Sequence, residues 1–318
     1  MTQPPIVIST KASLYFAKII ARSLGVKVLA TQRKIFGGIE HYYRLGIENF
    51  NDLFGRDIVF VGSAHSDKEI NEIYRVGCAL AGYGARKIIF CIPFMGYSTM
   101  ERAVKPGEVV TAKTTARQFS AIPQASMGNT FLLLDLHVGG TVHYFEGDCT
   151  RFELYAEPVI EAGIRFIIKH SPSIKTMMAS ADLGRAKWVE TFASIFDTDI
   201  AFIQKRRDGN ETSVQGIIGD VSGRHIIIYD DMTRSAGTLI KACKTYLNYD
   251  ASFVSVVLSH LALNNKGVAQ TLIDSQIGFI ITTNSHPASQ WSIVKNNTKF
   301  KVLDVSGIFT DAIEKILG

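Results

Sequence analysis

The stretch of sequence that decides the fold is His225-Ile-Ile-Ile-Tyr-Asp-Asp-Met-Thr-Arg-Ser-Ala-Gly-Thr238. Its apolar start predicts a buried strand, and the small, hydroxyl-rich loop after it leads into a helical pattern over 238–246. The apolar run Phe253–Leu258 follows that helix. A strand, a helix and a second strand in this order predict a βαβ unit, in which the two strands lie parallel in one sheet.

The same order of elements occurs in the first half of the chain. The apolar run Asp57–Val61 precedes a helical pattern over Lys68–Ala81, and the run Lys87–Ile92 follows it. Two such units at matching points of two halves favour duplication of one fold, although any α/β protein offers pairs of this kind. We therefore predict an α/β protein with two tandem domains, each a mainly parallel sheet flanked by helices.

The boundary between the two domains is expected near Gly147–Arg151, where a polar stretch follows the last apolar run of the first half. A chain of 318 residues suits two domains of about 150 residues each. We therefore predict an N-terminal domain over residues 1–148 and a C-terminal domain over residues 149–318.

Composition argues against several classes of protein. Hydrophobic residues make up 47% of the chain and charged residues 20%, as in ordinary soluble proteins. The net charge of +5 comes without a cluster of basic and aromatic residues, so nucleic-acid binding is not expected. The four cysteines form no C-x-x-C pair, which argues against a zinc site and a disulfide framework. The sequence shows neither a signal-peptide h-region nor a membrane-spanning window, so we expect a cytoplasmic protein that does not bind membranes.

The chemistry of the chain is concentrated after the strand that begins at His225. Asp230 and Asp231 come at its carboxyl end, where ligands of parallel sheets bind. The helix start that follows, with the hydroxyls of Ser235 and Thr238, predicts a phosphate cradle. The carboxylates suit the hydroxyls of a sugar that carries this phosphate, as in ribose 5-phosphate. The alternative is a serine-capped helix next to two solvated aspartates. Neither a P-loop motif nor G-x-G-x-x-G occurs.

This segment resembles the phosphoribosyl diphosphate signature of type I phosphoribosyltransferases and ribose-phosphate diphosphokinases. Other segments favour the diphosphokinases, because their motifs occur in the family's order from about residue 30 to residue 285. These are Phe36–Glu40, which resembles the nucleotide hairpin; a flag loop between Gly96-Tyr97 and Thr111–Lys113; Asp135-Leu-His137; Ser180-Ala-Asp182-Leu-Gly184; Lys205-Arg-Arg207; and Gly219-Asp-Val221.

The resemblance implies two type I phosphoribosyltransferase-like domains and an activity. The enzyme would transfer the diphosphoryl group of ATP, or another nucleoside triphosphate, to the 1-hydroxyl of ribose 5-phosphate, giving phosphoribosyl diphosphate and AMP. It also implies homo-oligomers and Mg²⁺ as the cofactor. The implied catalytic residues are Lys205 and Arg207, and the implied magnesium ligands are His137 and Asp182. The implied substrate-binding residues are Asp182, Asp230, Asp231, Ser235, Ala236, Gly237 and Thr238, and the implied nucleotide-binding residues are Phe36, Glu40, Arg102 and His137.

Some residues depart from the common class I pattern. The flag reads Thr99-Met-Glu-Arg102 in place of R-Q-D-R, and Gly38 and Arg234 stand where class I has aspartates. Met100-Glu-Arg102 and Gly223-Arg-His225 resemble the plant-like class II enzymes instead. Class II implies a broader choice of donor and no regulation by phosphate or ADP.

Two alternatives remain open from the sequence. A phosphoribosyltransferase that consumes the product would share the pentose loop, but it would need neither the duplicated half nor the Lys205-Arg-Arg207 loop. A non-catalytic regulatory homologue would explain the altered flag and Gly38. Against it stand the retained Lys205, Arg207 and His137.

Overall fold

The computed structural model describes residues 3–171, 174–181, 183–208 and 211–318, and of these it leaves the side chains of 183, 205–208 and 211–213 undescribed. The chain divides into two compact units. Unit 1 is Met1–Tyr155 together with Val305–Gly318, and unit 2 is Ala156–Asp304. Strands and helices alternate in both units.

Unit 1 has a parallel sheet and a separate hairpin. Its elements up to residue 155 are β1 (Ile6–Ser9), α1 (Leu14–Ser23), β2 (Thr31–Ile35), β3 (His41–Leu45), β4 (Asp57–Val61), α2 (Asp67–Gly82), β5 (Lys87–Ile92), α3 (Thr111–Ser120), β6 (Asn129–Leu134) and β7 (Thr150–Leu154). The sheet has the order β1-β4-β5-β6-β7, and each neighbouring pair is parallel. β2 and β3 form the antiparallel hairpin.

The core of unit 1 is built on the middle strands of its sheet. β4 is buried along its whole length, as expected for a parallel strand that is covered on both faces. The rings of Phe90 on β5 and Phe131 on β6 stack with centroids 4.6 Å apart. α2 packs closely over them, because a Cβ at Gly77 would stand 3.1 Å from the Phe90 ring. Glycine at this position permits that close approach.

Unit 2 has a larger sheet. Its elements are α4 (Glu157–His170), β8 (Thr176–Ser180), α5 (Ala186–Phe196), β9 (Asp199–Asp208), β10 (Glu211–Ile218), β11 (His225–Thr233), α6 (Gly237–Asn248), β12 (Phe253–Leu261), α7 (Lys266–Asp274), β13 (Ile280–Thr283), α8 (Ser292–Lys295) and β14 (Phe300–Leu303). The strand order is β10-β9-β8-β11-β12-β13-β14, and only the β10–β9 pair is antiparallel among the strands described. The predicted fold class is therefore confirmed.

The division of the chain differs from the predicted one at two places. Residues 150–154 form β7, which pairs with β6 and so belongs to unit 1. The last helix, α9 (Ser306–Leu317), also belongs to unit 1. Its Phe309 ring is buried edge-on against Phe16 of α1 at 5.5 Å. Lys87 Nζ donates a hydrogen bond of 2.9 Å to the Ile316 carbonyl.

Every helix in the part of the chain that the structure describes is too short or too polar to span a bilayer.

Candidate functional site

The two aspartates of the predicted pentose site lie near the carboxyl end of β11. This strand is buried at the centre of the unit 2 sheet, and Asp231 is buried while Asp230 is partly buried. The Asp231 N–H donates a hydrogen bond of 2.9 Å to Asp230 Oδ1. The two carboxylates are thus held next to each other at the end of the sheet where ligands of such folds bind.

Arg185 joins these two carboxylates. It ends the short 3₁₀ helix Leu183–Arg185, which follows β8, and β8 is the neighbour of β11 in the sheet. Its Nη2 lies 2.6 Å from Asp231 Oδ1, and its Nε lies 3.8 Å from Asp230 Oδ1. The sequence reasoning missed this residue. The only signal was its position directly after the Ser180–Gly184 segment.

The charge state of Asp230 reflects these surroundings. Burial raises the pKa of the Asp230 carboxyl well above its ordinary value, and the neighbouring charge of Asp231 adds to the rise. The guanidinium of Arg185 acts in the opposite direction. Two adjacent carboxyl groups resist ionising together, and a cation beside them reduces the cost of that ionisation.

The loop after β11 has the geometry of an anion site. α6 begins at Gly237, and its N-cap residue, Ala236, provides no side-chain cap. The first N–H groups of a helix have no hydrogen-bond partner within the helix, so they can donate to an anion bound at the start of the helix. Ser235, Gly237 and Thr238 are exposed there. This arrangement contradicts the alternative of a serine-capped helix.

The backbone is strained at several predicted site segments. Left-handed φ values cost a non-glycine residue about 1–2 kcal/mol, and such residues tend to collect at functional sites. Six non-glycine residues of the described chain have positive φ. Four of them fall within segments that the sequence assigned to the site, namely Ile39 in the hairpin, Tyr97 at the flag, Asp135 after β6 and Ala236 before α6.

The positions of Lys205 and Arg207 are described only for the backbone. Both lie on β9, where Lys205 pairs with Val214 and Arg207 with Thr212 of β10. β9 pairs with β8 only as far as Phe202, opposite Ser180, so the β9–β10 hairpin extends past the end of β8. Their side chains are outside the described part of the chain, and so is the whole of Asp182.

His137 lies in a turn after β6 that is held by its neighbours. The Asp135 N–H donates a hydrogen bond of 2.9 Å to the Leu154 carbonyl, and His137 itself is half-buried. Burial raises the pKa of Glu153, on β7 beside this turn. Hydrogen bonds from Tyr155 and the Leu136 N–H oppose that rise. The turn is therefore anchored to β7.

A magnesium ion would have to bind with few protein ligands. Among the residues that the structure describes, no group of three His, Cys, Asp or Glu side chains could hold a metal ion. Mg²⁺ does not need such a group, because it keeps several waters and binds through one or two carboxylates together with substrate phosphates. The sparse oxygen ligands at the strand ends fit an ion that arrives with its nucleotide.

Three of the four nucleotide-binding candidates, Phe36, Glu40 and Arg102, lie on exposed parts of unit 1. The Phe36 N–H donates a hydrogen bond of 2.9 Å to the Glu40 carbonyl and closes the β2–β3 hairpin. Phe36 is 51% exposed, and the centroid of its ring lies 5.5 Å from that of Tyr42. In the flag, the Arg102 side chain is 78% exposed, with Nε 3.4 Å from its neighbour Glu101.

Comparisons with known proteins identify relatives along most of the chain. The N-terminal domain of ribose phosphate pyrophosphokinase matches residues 6–122, and the phosphoribosyl synthetase-associated domain matches residues 199–318. The ribose-phosphate pyrophosphokinase of Helicobacter hepaticus is 28% identical over 98% of this chain and 95% of its own. Ribose-phosphate pyrophosphokinase 3 of Saccharomyces cerevisiae is 27% identical over 94% and 90%.

A solved structure shows the same fold. The phosphoribosylpyrophosphate synthetase of Mycobacterium smegmatis matches with a TM-score of 0.83 and 21% identity, over 99% of both chains. The two matched domain models fall on opposite halves of the chain and together cover most of it. The chain therefore belongs to the ribose-phosphate pyrophosphokinase family.

Proposed function

We propose that this protein transfers the diphosphoryl group of ATP to the 1-hydroxyl of ribose 5-phosphate, giving phosphoribosyl diphosphate and AMP. The observation that carries the proposal is the site after β11, where two adjacent carboxylates precede an open helix start. The helix start suits the phosphate of a sugar phosphate, and the carboxylates suit its hydroxyls. Relatives that match nearly the whole chain are named ribose-phosphate pyrophosphokinases, and we take the reaction from that name.

The pentose would be held by its hydroxyls and its phosphate. The carboxylates of Asp230 and Asp231 accept hydrogen bonds from the ribose hydroxyls. The 5-phosphate lies at the start of α6, where the Ser235 and Thr238 hydroxyls and the N–H groups at Ala236 and Gly237 donate to it. This orientation leaves the 1-hydroxyl directed away from the phosphate cradle and able to react.

The transfer forms one bond and breaks another. The ribose 1-oxygen attacks the β-phosphorus, the bond from that phosphorus to the oxygen bridging it to the α-phosphate breaks, and AMP leaves while the hydroxyl proton is released. Catalysis of phosphoryl transfer is mainly positioning and charge stabilisation. We assign the stabilising charges to Lys205 and Arg207, which lie two residues apart on β9. Phe36, Glu40, Arg102 and His137 are the proposed contacts of the nucleotide.

Magnesium, when bound, would neutralise charge on the phosphate oxygens, and His137 and Asp182 are its proposed ligands.

The same proposal includes assembly into homo-oligomers, which light scattering after gel filtration would test.

Product analysis tests the reaction. Purified protein with magnesium, ATP and ribose 5-phosphate should form phosphoribosyl diphosphate and AMP. Phosphorus NMR identifies both products. A mixture without ribose 5-phosphate is the control. Formation of ADP in place of AMP would refute diphosphoryl transfer, and absence of turnover would favour a non-catalytic homologue. A phosphoribosyltransferase would instead consume phosphoribosyl diphosphate when a base is supplied.

A substitution on β9 tests the catalytic assignment. Lys205→Ala should lower kcat by at least 100-fold, roughly the loss on removing one group that stabilises transition-state charge. Binding of ribose 5-phosphate, measured by calorimetry, should change little. Lys266→Ala, at an exposed lysine that begins α7, is the matched control. Equal losses of kcat and ribose 5-phosphate affinity would assign Lys205 to binding instead.

The resemblance to class II enzymes predicts that several nucleoside triphosphates can donate the diphosphoryl group. With GTP, CTP or UTP in place of ATP, turnover should persist, and it should not require inorganic phosphate. Strict dependence on ATP and phosphate would contradict the class II assignment while leaving the reaction itself intact.

A further inference from the structure

Arg185 makes a contact that the proposed reaction does not yet use. Its guanidinium lies against both carboxylates of the pentose site, 2.6 Å from Asp231 Oδ1 and 3.8 Å from Asp230 Oδ1. All three side chains are largely withdrawn from water, with exposed fractions of 14% for Arg185, 22% for Asp230 and 6% for Asp231. The two carboxyl groups and the guanidinium therefore form one cluster at the end of β11.

This cluster differs from the ion pairs on the surface of the same unit. Arg165 pairs with Glu161 one turn away on α4, and its side chain is 61% exposed. Exposed pairs of this kind contribute little, because water and salt screen them. A buried carboxylate pair, in contrast, loses its hydration, and removing its cation leaves an uncompensated charge.

The chemistry of the guanidinium suits the contact. Its five N–H donors lie in one plane, so that Nε and Nη2 can face two acceptors at the same time. A lysine ammonium would supply the charge but not this fixed pair of directions. The short helix that carries Arg185 begins three residues after the end of β8, the strand that pairs with β11, so Arg185 lies near the aspartates in the sheet.

We propose that Arg185 is a positioning residue of the pentose site, which holds the carboxyl groups of Asp230 and Asp231 side by side to accept hydrogen bonds from the ribose hydroxyls. The inference rests on the proposed function, because its ligand is ribose 5-phosphate. Through the two aspartates, Arg185 affects binding of the sugar hydroxyls. It does not affect binding of the phosphate, which lies at the start of α6. Arg185 therefore sets how strongly the site distinguishes a sugar phosphate from phosphate alone.

Binding measurements on three variants test this role. We would measure the Kd of ribose 5-phosphate by calorimetry and that of inorganic phosphate by phosphorus NMR, for wild type, Arg185→Gln, Arg185→Lys and the control Arg165→Gln. Arg185→Gln should weaken ribose 5-phosphate binding by roughly 10- to 100-fold, the loss expected when a charged hydrogen-bonding group is removed. Its phosphate affinity should stay within about twofold of wild type, and Arg165→Gln should change neither value.

The lysine variant separates charge from geometry. Arg185→Lys should bind ribose 5-phosphate with an affinity between those of wild type and Arg185→Gln. A melting curve shows whether each variant is folded. If Arg185→Gln does not fold, Arg185→Lys still decides, because binding equal to wild type would show that the two-pronged contact is not needed.

Two further results would overturn the inference. Unchanged ribose 5-phosphate binding in Arg185→Gln would mean that the carboxylates need no arginine. Parallel loss of ribose 5-phosphate and phosphate binding would mean that Arg185 supports the whole loop and not the hydroxyl contacts. A wild-type protein that does not bind ribose 5-phosphate at all would instead refute the proposed function, and the inference with it.

Discussion

The substitution Gly237→Ala separates the phosphate cradle from the stability of the fold. Gly237 is the first residue of α6, and its φ lies outside the left-handed region. Among the described residues that are not its chain neighbours, a Cβ built there meets only Ser235 Oγ within 4 Å, at 3.8 Å. Alanine should therefore fit without a clash. Because alanine favours the helix over glycine, the free energy of unfolding should stay constant or rise by up to about 1 kcal/mol.

The effect on ligand binding should be the opposite. A phosphate oxygen that accepts from the Ser235 hydroxyl lies about 2.7 Å from Oγ, in the open space next to the new methyl group. If the phosphate approaches the backbone at Gly237, the methyl group displaces it and costs at least one charge-assisted hydrogen bond. A loss of about 1.5–3 kcal/mol corresponds to a roughly 10- to 150-fold rise in the Kd of ribose 5-phosphate.

Calorimetric titration and thermal melting of the same sample check both halves of this prediction. Gly307→Ala is the matched control, because it adds the same methyl group near the start of α9, where a Cβ meets no atom of the described residues outside its own helix and chain neighbours within 4 Å. The control should keep the wild-type Kd. The reasoning is refuted if Gly237→Ala binds ribose 5-phosphate as tightly as wild type, because the phosphate then does not approach this backbone. A Kd that rises together with a lower melting temperature would mean that the loop itself was disrupted.

Two more predictions concern stability. Burial lowers the pKa of His225 to about 4, whereas the unfolded chain keeps a value near 6.5, so the unfolded state takes up the proton first as the pH falls. This residue's contribution is complete above pH 6.5 and should decrease by about 2 kcal/mol between pH 7 and pH 5. In His225→Gln, urea unfolding at the two pH values should show a smaller pH dependence by that amount, and an unchanged dependence would mean that His225 is protonated in the fold. Phe309→Ala should lower the free energy of unfolding by about 3–5 kcal/mol, because the ring is fully buried between α9 and α1. A loss below about 1 kcal/mol would contradict the docking of α9 on unit 1, and Leu317→Ala, at the partly exposed end of the same helix, is its control.

The βαβ units could be predicted from sequence because their signals are local. An apolar run followed by a 3.6-residue pattern specifies a strand and a helix with little help from distant residues. The run that starts at His225 and the helix after Gly237 lie where the pattern placed them. The adjacent aspartates were placed at the end of the strand for the same reason, since their position follows from the chain order alone.

The domain boundary and the last helix could not be predicted in this way. The amphipathic pattern of Ser306–Leu317 indicates a helix with one buried face, but it does not say which surface covers that face. The polar residues before β7 resemble a linker, although β7 itself completes the unit 1 sheet. Both choices depend on contacts between segments that are far apart in the chain.

The amino-acid sequence by itself determined the alternation of strands and helices, the carboxylates at the end of β11 and the open loop before α6, because each follows from neighbouring residues. Only the tertiary structure decided that Arg185 stands against Asp230 and Asp231. That contact arises because β8 and β11 are neighbours in the sheet, and sheet order is set by the packing of the whole unit. The left-handed backbone of Ala236 likewise depends on its buried position, since alanine has no local preference for it.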